Sequence, residues 1–484
     1  MTVNRTSITS NMFWRFMERF GAQGVTLVVS IVLARILEPE LYGIVALVTV
    51  ITTILQVFID SGLGTALVQK KDADKVDFST VFYFNIFVCL CLYTLLFFLA
   101  PAIALFYDIP QLISIVRVLG LLLIVSGFKN IQNAYVSRNL LFKKYFFATL
   151  GGTFTAAVVG IWMAYNNYGI WAIVVQNLVN QTIDTIILWV TVKWRPSLEF
   201  SIKRLQILLK YGWKLLLSAL LDTIWNELRQ LIIGKAYSSG DLAFYNKGNE
   251  YPKYATTAIN NSIDSVLLPV LSKEQDSRER VRSMTRRAIK TSSFVMWPLM
   301  LGFAACSRPF IVLVLTEKWL PCQPYLIIFC IVYAFYPIHT ANLNAIKALG
   351  RSDLFLILEI LKKIIGLIII ISTMWFGVFW LAMGSIISSF FSQIINSWPN
   401  SKLLDYKYRD QMFDILPYIL LSLVMAGIVY SISFLHFSNV ITLLVQIPLG
   451  VVVYTAGSYL LRFDSLFYCI DILRRLLKTR KKVY

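Results

Sequence analysis

Long apolar runs broken by short polar or charged interruptions recur along the whole chain of 484 residues. A helix rising 1.5 Å per residue needs about 20 residues to cross the hydrocarbon of a bilayer. Runs bounded by charge, Pro or Gly predict about fourteen such spans. They cover residues 11–36, 41–67, 79–105, 112–136, 145–165, 169–192, 211–235, 242–271, 288–314, 323–347, 354–375, 377–400, 413–435 and 439–461. The pattern predicts an all-α membrane protein of about 14 transmembrane helices.

One pair of spans breaks the apolar rule. The stretch Leu215 to Leu271 holds two runs joined at Tyr237-Ser238-Ser239-Gly240-Asp241, and it carries Asp222, Glu227, Arg229, Lys247, Glu250, Lys253 and Asp264. A charge at bilayer depth costs roughly 2.5–3.5 kcal/mol on insertion scales, so these groups are expected to face a wet interior. As antiparallel helices meeting near Lys235 and Asp241, the runs place Arg229 and Lys247 at about 9 Å depth. Asp222 and Lys253 fall at about 18–20 Å, which makes Asp222 the expected partner of Lys253, with Glu250 near Arg229. Asp222, Asn226 and Arg229 follow helical spacing, as do Lys247, Glu250, Tyr251 and Tyr254, so both stripes can face one cavity. Pro252 is a candidate kink.

Composition supports the membrane reading, with 57% hydrophobic and only 15% charged residues. A formal charge of +19 would suggest nucleic acid in a soluble chain, but no basic nucleic-acid module is visible. The positive charge is instead distributed by side: even-numbered loops and both termini hold about 31 of the 45 Lys and Arg, odd-numbered loops about four. This predicts a multi-pass protein with both termini in the cytoplasm. Arg15, Glu18 and Arg19 interrupt the first apolar run, which reads as an uncleaved span. The tail beyond Arg462 reads as a basic amphipathic helix on anionic lipid.

Candidate chemistry is sparse. There is no GxxxxGK[ST], no HExxH and no cysteine pair at zinc spacing, and His339 and His436 lie far apart. The short odd-numbered loops leave no room for an external catalytic domain, so an enzyme is not expected, nor a cofactor or a metal. The six cysteines fall mostly in apolar runs and read as small core residues; Cys306 and Cys322 flank one outer turn. His339 reads as a hydrogen-bonded interior residue. Arg15, Glu18 and Arg19 share one face, either snorkelling to lipid phosphates or lining a cavity mouth. Arg117 and Lys129 in the fourth span are each either cavity-facing or structural, and Glu359, Lys362 and Lys363 read as a self-paired cluster.

An internal repeat appears at an offset of about 200 residues. Ala34-Arg35-Ile36-Leu37-Glu38-Pro39-Glu40-Leu41 returns loosely as Gly234-Lys235-Ala236-Tyr237-Ser238-Ser239-Gly240-Asp241-Leu242. Two six-span halves with an appendage follow, divided as residues 1–205, 206–400 and 401–484. The stretch Leu33-Ala34-Arg35-Ile36-Leu37-Glu38-Pro39-Glu40-Leu41-Tyr42-Gly43 resembles the opening of bacterial polysaccharide transporters. So do Asp60-Ser61-Gly62-Leu63-Gly64-Thr65-Ala66-Leu67-Val68-Gln69-Lys70, Asp77-Phe78-Ser79-Thr80-Val81-Phe82 and Leu231-Ile232-Ile233-Gly234-Lys235. The resemblance is to Wzx-type flippases, in the superfamily that also holds multidrug and toxin extrusion transporters and lipid II flippases.

That resemblance implies two six-helix bundles around a central cavity plus two C-terminal helices. It also implies a flippase that moves an undecaprenyl-pyrophosphate-linked oligosaccharide from the inner to the outer leaflet by alternating access, for polysaccharide or lipopolysaccharide biosynthesis. Physically, a pyrophosphate-sugar headgroup needs a wet, cationic, hydrogen-bonding path, while a polyprenyl tail can stay in lipid. Arg229, Lys247, Lys253, Arg15 and Arg19 are the candidate cations. Asp222, Asn226, Glu250, Tyr251 and Tyr254 complete the candidate substrate site. Membrane lipids and a coupling proton or sodium ion are the remaining expected partners. A drug or cation antiporter of the same superfamily is the alternative, and would favour a cavity dominated by acidic residues.

The charge asymmetry generates a topology test. In a cysteine-free background, Ser239→Cys and Asn439→Cys should react with an impermeant thiol reagent added to intact cells, and Ser283→Cys should not. Labelling at position 283 from outside would reverse the orientation.

Overall fold

The computed structural model describes residues 5–60, 62–70 and 72–480. Within these, the side chains of residues 5–13, 15–20, 22, 60, 211, 258, 262, 472–473 and 475–480 lie outside the description. The described chain is helical with no strand. In order it forms α1 (Arg5–Ile36), α2 (Pro39–Asp60), α3 (Leu63–Gln69), α4 (Lys75–Tyr107), α5 (Leu112–Arg138) and α6 (Phe142–Tyr165). Then come α7 (Ile170–Thr191), α8 (Ile202–Ala236), α9 (Ser239–Lys273), α10 (Arg278–Ala305), α11 (Ser307–Val314) and α12 (Gln323–Ala334). The series ends with α13 (Tyr336–Ala348), α14 (Ser352–Thr373), α15 (Val378–Leu403), α16 (Tyr408–Ser431), α17 (Asn439–Leu460) and α18 (Asp464–Arg480).

Ten helical segments among the described residues are long and apolar enough to cross a membrane. The expected count of about 14 is therefore not reached on apolarity alone. The other four expected spans are α1, α8, α9 and α14, helices of 32, 35, 35 and 22 residues. Helices α8, α9 and α14 carry charged residues along their length, which is why they fail an apolar test while keeping spanning length; in α1 the described apolar stretch is Gln23–Ile36, shorter than a span. The expected span 323–347 is two helices, α12 and α13, that meet at Phe335 just before Pro337. A proline has no N–H to donate and crowds the preceding turn, which accounts for the break. Large apolar side chains stand exposed along the spans, among them Phe98, Leu105, Ile368, Val424 and Val451, as lipid-facing surfaces require.

The chain divides into two compact units, Met1–Ala243 and Phe244–Tyr484. In the first, α6 packs on both α1 and α7, α4 on α5, and α8 on α2, α3 and α4. The α6–α7 contact rests on a stripe of small residues, Gly152, Ala156, Gly160 and Ala164, at a spacing of four. A Cβ at Gly152 would lie 2.7 Å from the Asn180 carbonyl oxygen, and one at Gly160 2.9 Å from Gln176 Cβ. Small residues let two backbones approach in a membrane, where no hydrophobic force drives helices together. The two turns of the sequence repeat have the same form: each joins helices through two residues, 37–38 and 237–238. At the first, Gly43 sits so close to the Ser239 carbonyl that any Cβ there would overlap it.

The motif Asp77-Phe78-Ser79-Thr80 anchors the start of α4. Asp74 caps the helix by accepting from the Asp77 N–H at 2.9 Å, while Asp77 Oδ2 accepts from the Asp74 N–H at 3.1 Å. Lys70 lies 2.6 Å from Asp77, and Arg204 on α8 lies 2.5 Å from Asp74 and 3.4 Å from Asp77. Arg204 holds the Asp74 carboxyl down to about 2, chiefly by its hydrogen bond, so this clasp stays ionised across physiological pH. Ser79 Oγ accepts from the Ser197 N–H at 2.9 Å, and Thr80 Oγ1 from the Ser201 N–H at 3.1 Å. The motif thus ties the α7–α8 connection to α4.

In the second unit α10 packs on α12, α13 and α16, α14 on α15, and α16 on α17. Three of its buried amides are joined, and an exposed arginine clasps a carboxylate beside them. Gln411 bonds Asn342, which bonds Asn400, and Arg286 grips Asp414 with two bonds of 2.6 and 2.7 Å. His339 is an interior residue within hydrogen-bond reach of Asn396 at 3.2 Å, as the sequence suggests. All six cysteines are free, including Cys306 just before α11 and Cys322 just before α12. Glu359 and Lys362 pair at 2.6 Å, in keeping with a self-paired cluster.

The small-residue stripe sets a stability test. Gly152→Ala and Gly160→Ala should each destabilise the detergent-solubilised protein by about 1–3 kcal/mol, because overpacking forces two backbones apart. Gly427→Ala, where a Cβ meets nothing within 4 Å, should be neutral or slightly stabilising. Thermal unfolding of the three variants decides it: equal midpoints would remove the stripe as a packing determinant.

Candidate functional site

The sequence-predicted residues fall on α1, α8 and α9. In the second unit, Lys247 is buried and its Nζ donates to Glu250 Oε2 at 2.7 Å, while the Tyr254 hydroxyl donates to Glu250 Oε1 at 3.3 Å. These three therefore form one cluster on α9, as their helical spacing suggests. Tyr251 is buried, with its ring edge-on to Phe310 at 5.3 Å. Lys253 is exposed, one step off that stripe. Along α9, Asn249 accepts from the Tyr333 hydroxyl at 2.7 Å, and Asp264 accepts from Asn344 at 2.9 Å. In the first unit, Asp222 and Asn226 on α8 are exposed and Arg229 is half-buried. Arg15 and Arg19 lie on α1, where their side chains are outside the described residues.

The first unit also forms an open-sided cavity of about 640 Å³ that charge-based reasoning passed over. Helix α2 lines it with Thr49, Thr52, Thr53 and Gln56. Helix α5 contributes Ser126, Lys129, Asn130 and Asn133, and α7 contributes Asn177, Asn180 and Gln181. Tyr145 of α6 adds an aromatic face, and only Val57, Leu119 and Leu122 of the lining are apolar. On each of the three helices the polar residues stand at i, i+3, i+4 and i+7, with Asp184 as the fourth member on α7. The signal was present in the sequence: a helical stripe of uncharged polar residues inside an otherwise apolar span.

Some of these groups are committed and some are not. Asn130 Nδ2 donates to the Ile59 carbonyl at 2.6 Å, closing the end of α2, and Gln181 Nε2 donates to Ser126 Oγ at 2.8 Å. Thr49 and Thr52 bond back to their own helix at 2.8 and 3.0 Å. Gln56, Asn133, Asn177 and Asn180 make no side-chain hydrogen bond with the described residues. Lys129 Nζ donates to Asp184 Oδ2 at 2.6 Å, with their side chains 13% and 5% exposed. This pair neutralises the single charge on the described lining. Arg117, by contrast, stacks over the Phe97 ring at 4.2 Å and lines no part of the cavity.

A family model described as "Polysaccharide biosynthesis protein" matches residues 32–324. Among curated proteins, the chain is 23% identical to "Succinoglycan biosynthesis transport protein ExoT" of Rhizobium meliloti (strain 1021), over 67% of this chain and 66% of that one. It is 26% identical to "Teichuronic acid biosynthesis protein TuaB" of Bacillus subtilis (strain 168), over 63% of each. The match thus spans a little under two thirds of those two relatives. It is 23% identical to "Lipopolysaccharide biosynthesis protein WzxC" of Escherichia coli (strain K12), over 82% of each chain. In fold it is similar to "Lipid II flippase MurJ, inward closed conformation", with a TM-score of 0.75 at 18% identity, covering 95% of this chain and all of the other. An inward-facing multidrug resistance MATE family transporter gives a TM-score of 0.62 at 17% identity, over 78% and 94%.

The buried pair makes its own prediction. Lys129→Met leaves Asp184 an uncompensated buried charge and should cost about 3–5 kcal/mol, read as lost thermal stability and membrane abundance. The double variant Lys129→Met with Asp184→Leu should recover most of that loss, since apolar residues of similar size often replace a buried pair without penalty. A double variant as unstable as the single one would show that the pair is not the source.

Proposed function

The chain belongs to the polysaccharide biosynthesis protein family, and from that membership we propose that it is a flippase moving a lipid-linked oligosaccharide across the membrane. The observation that carries this reading is a multi-pass helical unit with an open-sided cavity lined by amides and hydroxyls. Such a lining has no use in a purely apolar bundle. It replaces the water that a glycan would lose on entering the bilayer. An undecaprenyl pyrophosphate carrier suits the reading, because its phosphates would be held by cations and its tail would remain in lipid.

On this reading Lys253 and Arg229, which stand outside the Lys247–Glu250–Tyr254 cluster, are the cations most available to pyrophosphate. Arg15 and Arg19 of α1 are further candidates. The protein would sit in the bacterial cytoplasmic membrane with both termini inside, accept its substrate from the inner leaflet and release it to the outer by alternating access. A proton or sodium ion is the candidate source of energy.

The test is leaflet-resolved. Proteoliposomes holding the chain and lipid-linked oligosaccharide from its native host should expose the glycan to an added glycosidase on the far side, and protein-free liposomes should not. Lys253→Ala at matched abundance should slow that exposure roughly tenfold or more, the loss expected for a hydrogen bond to a charged group. Efflux of cationic drugs by the same preparation, without movement of the glycolipid, would replace the flippase with an antiporter.

A further inference from the structure

We propose that the cavity of the first unit is the subsite for the uncharged, hydroxyl-bearing part of the glycan, and that it does not bind the pyrophosphate. This rests on the flippase reading and adds to it where the sugar is recognised and by which groups. A cavity of about 640 Å³ lies inside the range usual for small-molecule sites, roughly 300–1,000 Å³. Its size admits sugar rings, so its lining decides the class of ligand.

The lining favours hydroxyl groups over phosphate. Gln56, Asn133, Asn177 and Asn180 line the cavity and are without hydrogen-bond partners among the described residues. A primary amide offers two donors and a carbonyl acceptor, while a sugar hydroxyl is both donor and acceptor. Vicinal hydroxyls can therefore satisfy both ends of such amides at once. A phosphate is acceptor-only and would leave every amide carbonyl unmatched.

Charge points the same way. Lys129 is the single charged residue on the described lining, and Asp184 holds it at 2.6 Å. An anion drawn to Lys129 would have to take it from Asp184 and strand a carboxylate whose Oδ1 already lacks a partner. That exchange costs more than the new contact returns. A cationic drug meets the same obstacle from the other side, because the one carboxylate is taken.

Thiol protection tests the assignment. The full chain, with its native cysteines replaced, carries Asn133→Cys or, separately, Gln56→Cys, which sits on a different helix. Each variant is placed in nanodiscs and labelled with a small methanethiosulfonate reagent. Lipid-linked oligosaccharide from the native host should slow labelling at both positions roughly tenfold, and undecaprenyl pyrophosphate bearing no sugar should leave it unchanged. Equal protection by the sugar-free lipid would overturn the assignment in favour of a headgroup site. So would absence of protection by the glycolipid, or thiols that never react, since a cavity closed to the reagent is closed to a sugar.

Flipping of the same glycolipid is measured in parallel. Flipping without protection sinks the subsite and leaves the flippase standing, whereas no flipping at all removes the flippase reading itself. As a second readout, Asn177→Ala should raise the glycolipid concentration needed for half-maximal transport roughly tenfold, with the affinity for sugar-free undecaprenyl pyrophosphate unmoved.

Discussion

A lysine and an aspartate 2.6 Å apart, deep in a unit built from apolar helices, set the terms for what surrounds them. Neither charge could be held there alone, because desolvating one ion costs several kcal/mol that only a close counter-ion offsets. The pair can form only if α5 and α7 run side by side at that depth. Helix α7 is in turn held against α6 by close backbone approach at Gly152, whose missing Cβ leaves room for Asn180 and Asp184. Small residues on one helix thus fix the position of a charge on the next. The result is a cavity wall that is polar without carrying net charge.

Satisfying backbone and side-chain polarity inside hydrocarbon explains much of the rest. Where α2 gives way to α3, the backbone turns at Gly62 with φ 106°, and Asn130 reaches across from α5 to accept the role of partner for the Ile59 carbonyl. At the other end of α3, the Arg138 guanidinium takes the carbonyls of Leu67 and Lys70 at 2.7 and 2.6 Å. In the second unit, Asn342, Asn400 and Gln411 are each buried and bond one another, with only Asn400 Oδ1 of the three amides' polar atoms left without a partner. Amides bonded to one another in this way are largely committed, whereas the open amides of the first-unit cavity remain available to something else.

The fold was legible in the sequence because its period is coarse: apolar runs at spanning length need only composition to be seen. In α8, α9 and α14, which resisted counting, charge and apolarity are interleaved, and length alone does not separate a wet crossing from a surface helix. Local clusters at helical spacing were also legible. Lys247, Glu250 and Tyr254 meet as their spacing requires. Lys129 was recognisable as a buried charge, but its partner was not, because Asp184 lies 55 residues away on another span. The polar stripes of α2, α5 and α7 went unread for a different reason. Each amide or hydroxyl is unremarkable singly, and the shared i, i+3, i+4, i+7 pattern acquires meaning only when three helices are known to converge.

The first-unit cavity and helix α9 differ in the chemistry they hold. The described lining of the first-unit cavity is neutral, amide-rich and compensated, while α9 of the second carries Lys247, Glu250, Lys253 and Asp264 along a single helix. A lipid-linked saccharide is itself divided in this way, into a polyanionic linkage and a polyhydroxylated glycan, and the two ask for opposite electrostatics. Strong cations in a glycan site would hold the linkage too tightly to release it, and amides alone would not draw a pyrophosphate out of the interface. Keeping the Lys129 ammonium paired with Asp184 leaves the first-unit cavity polar enough to replace water, yet a weak trap for an anion.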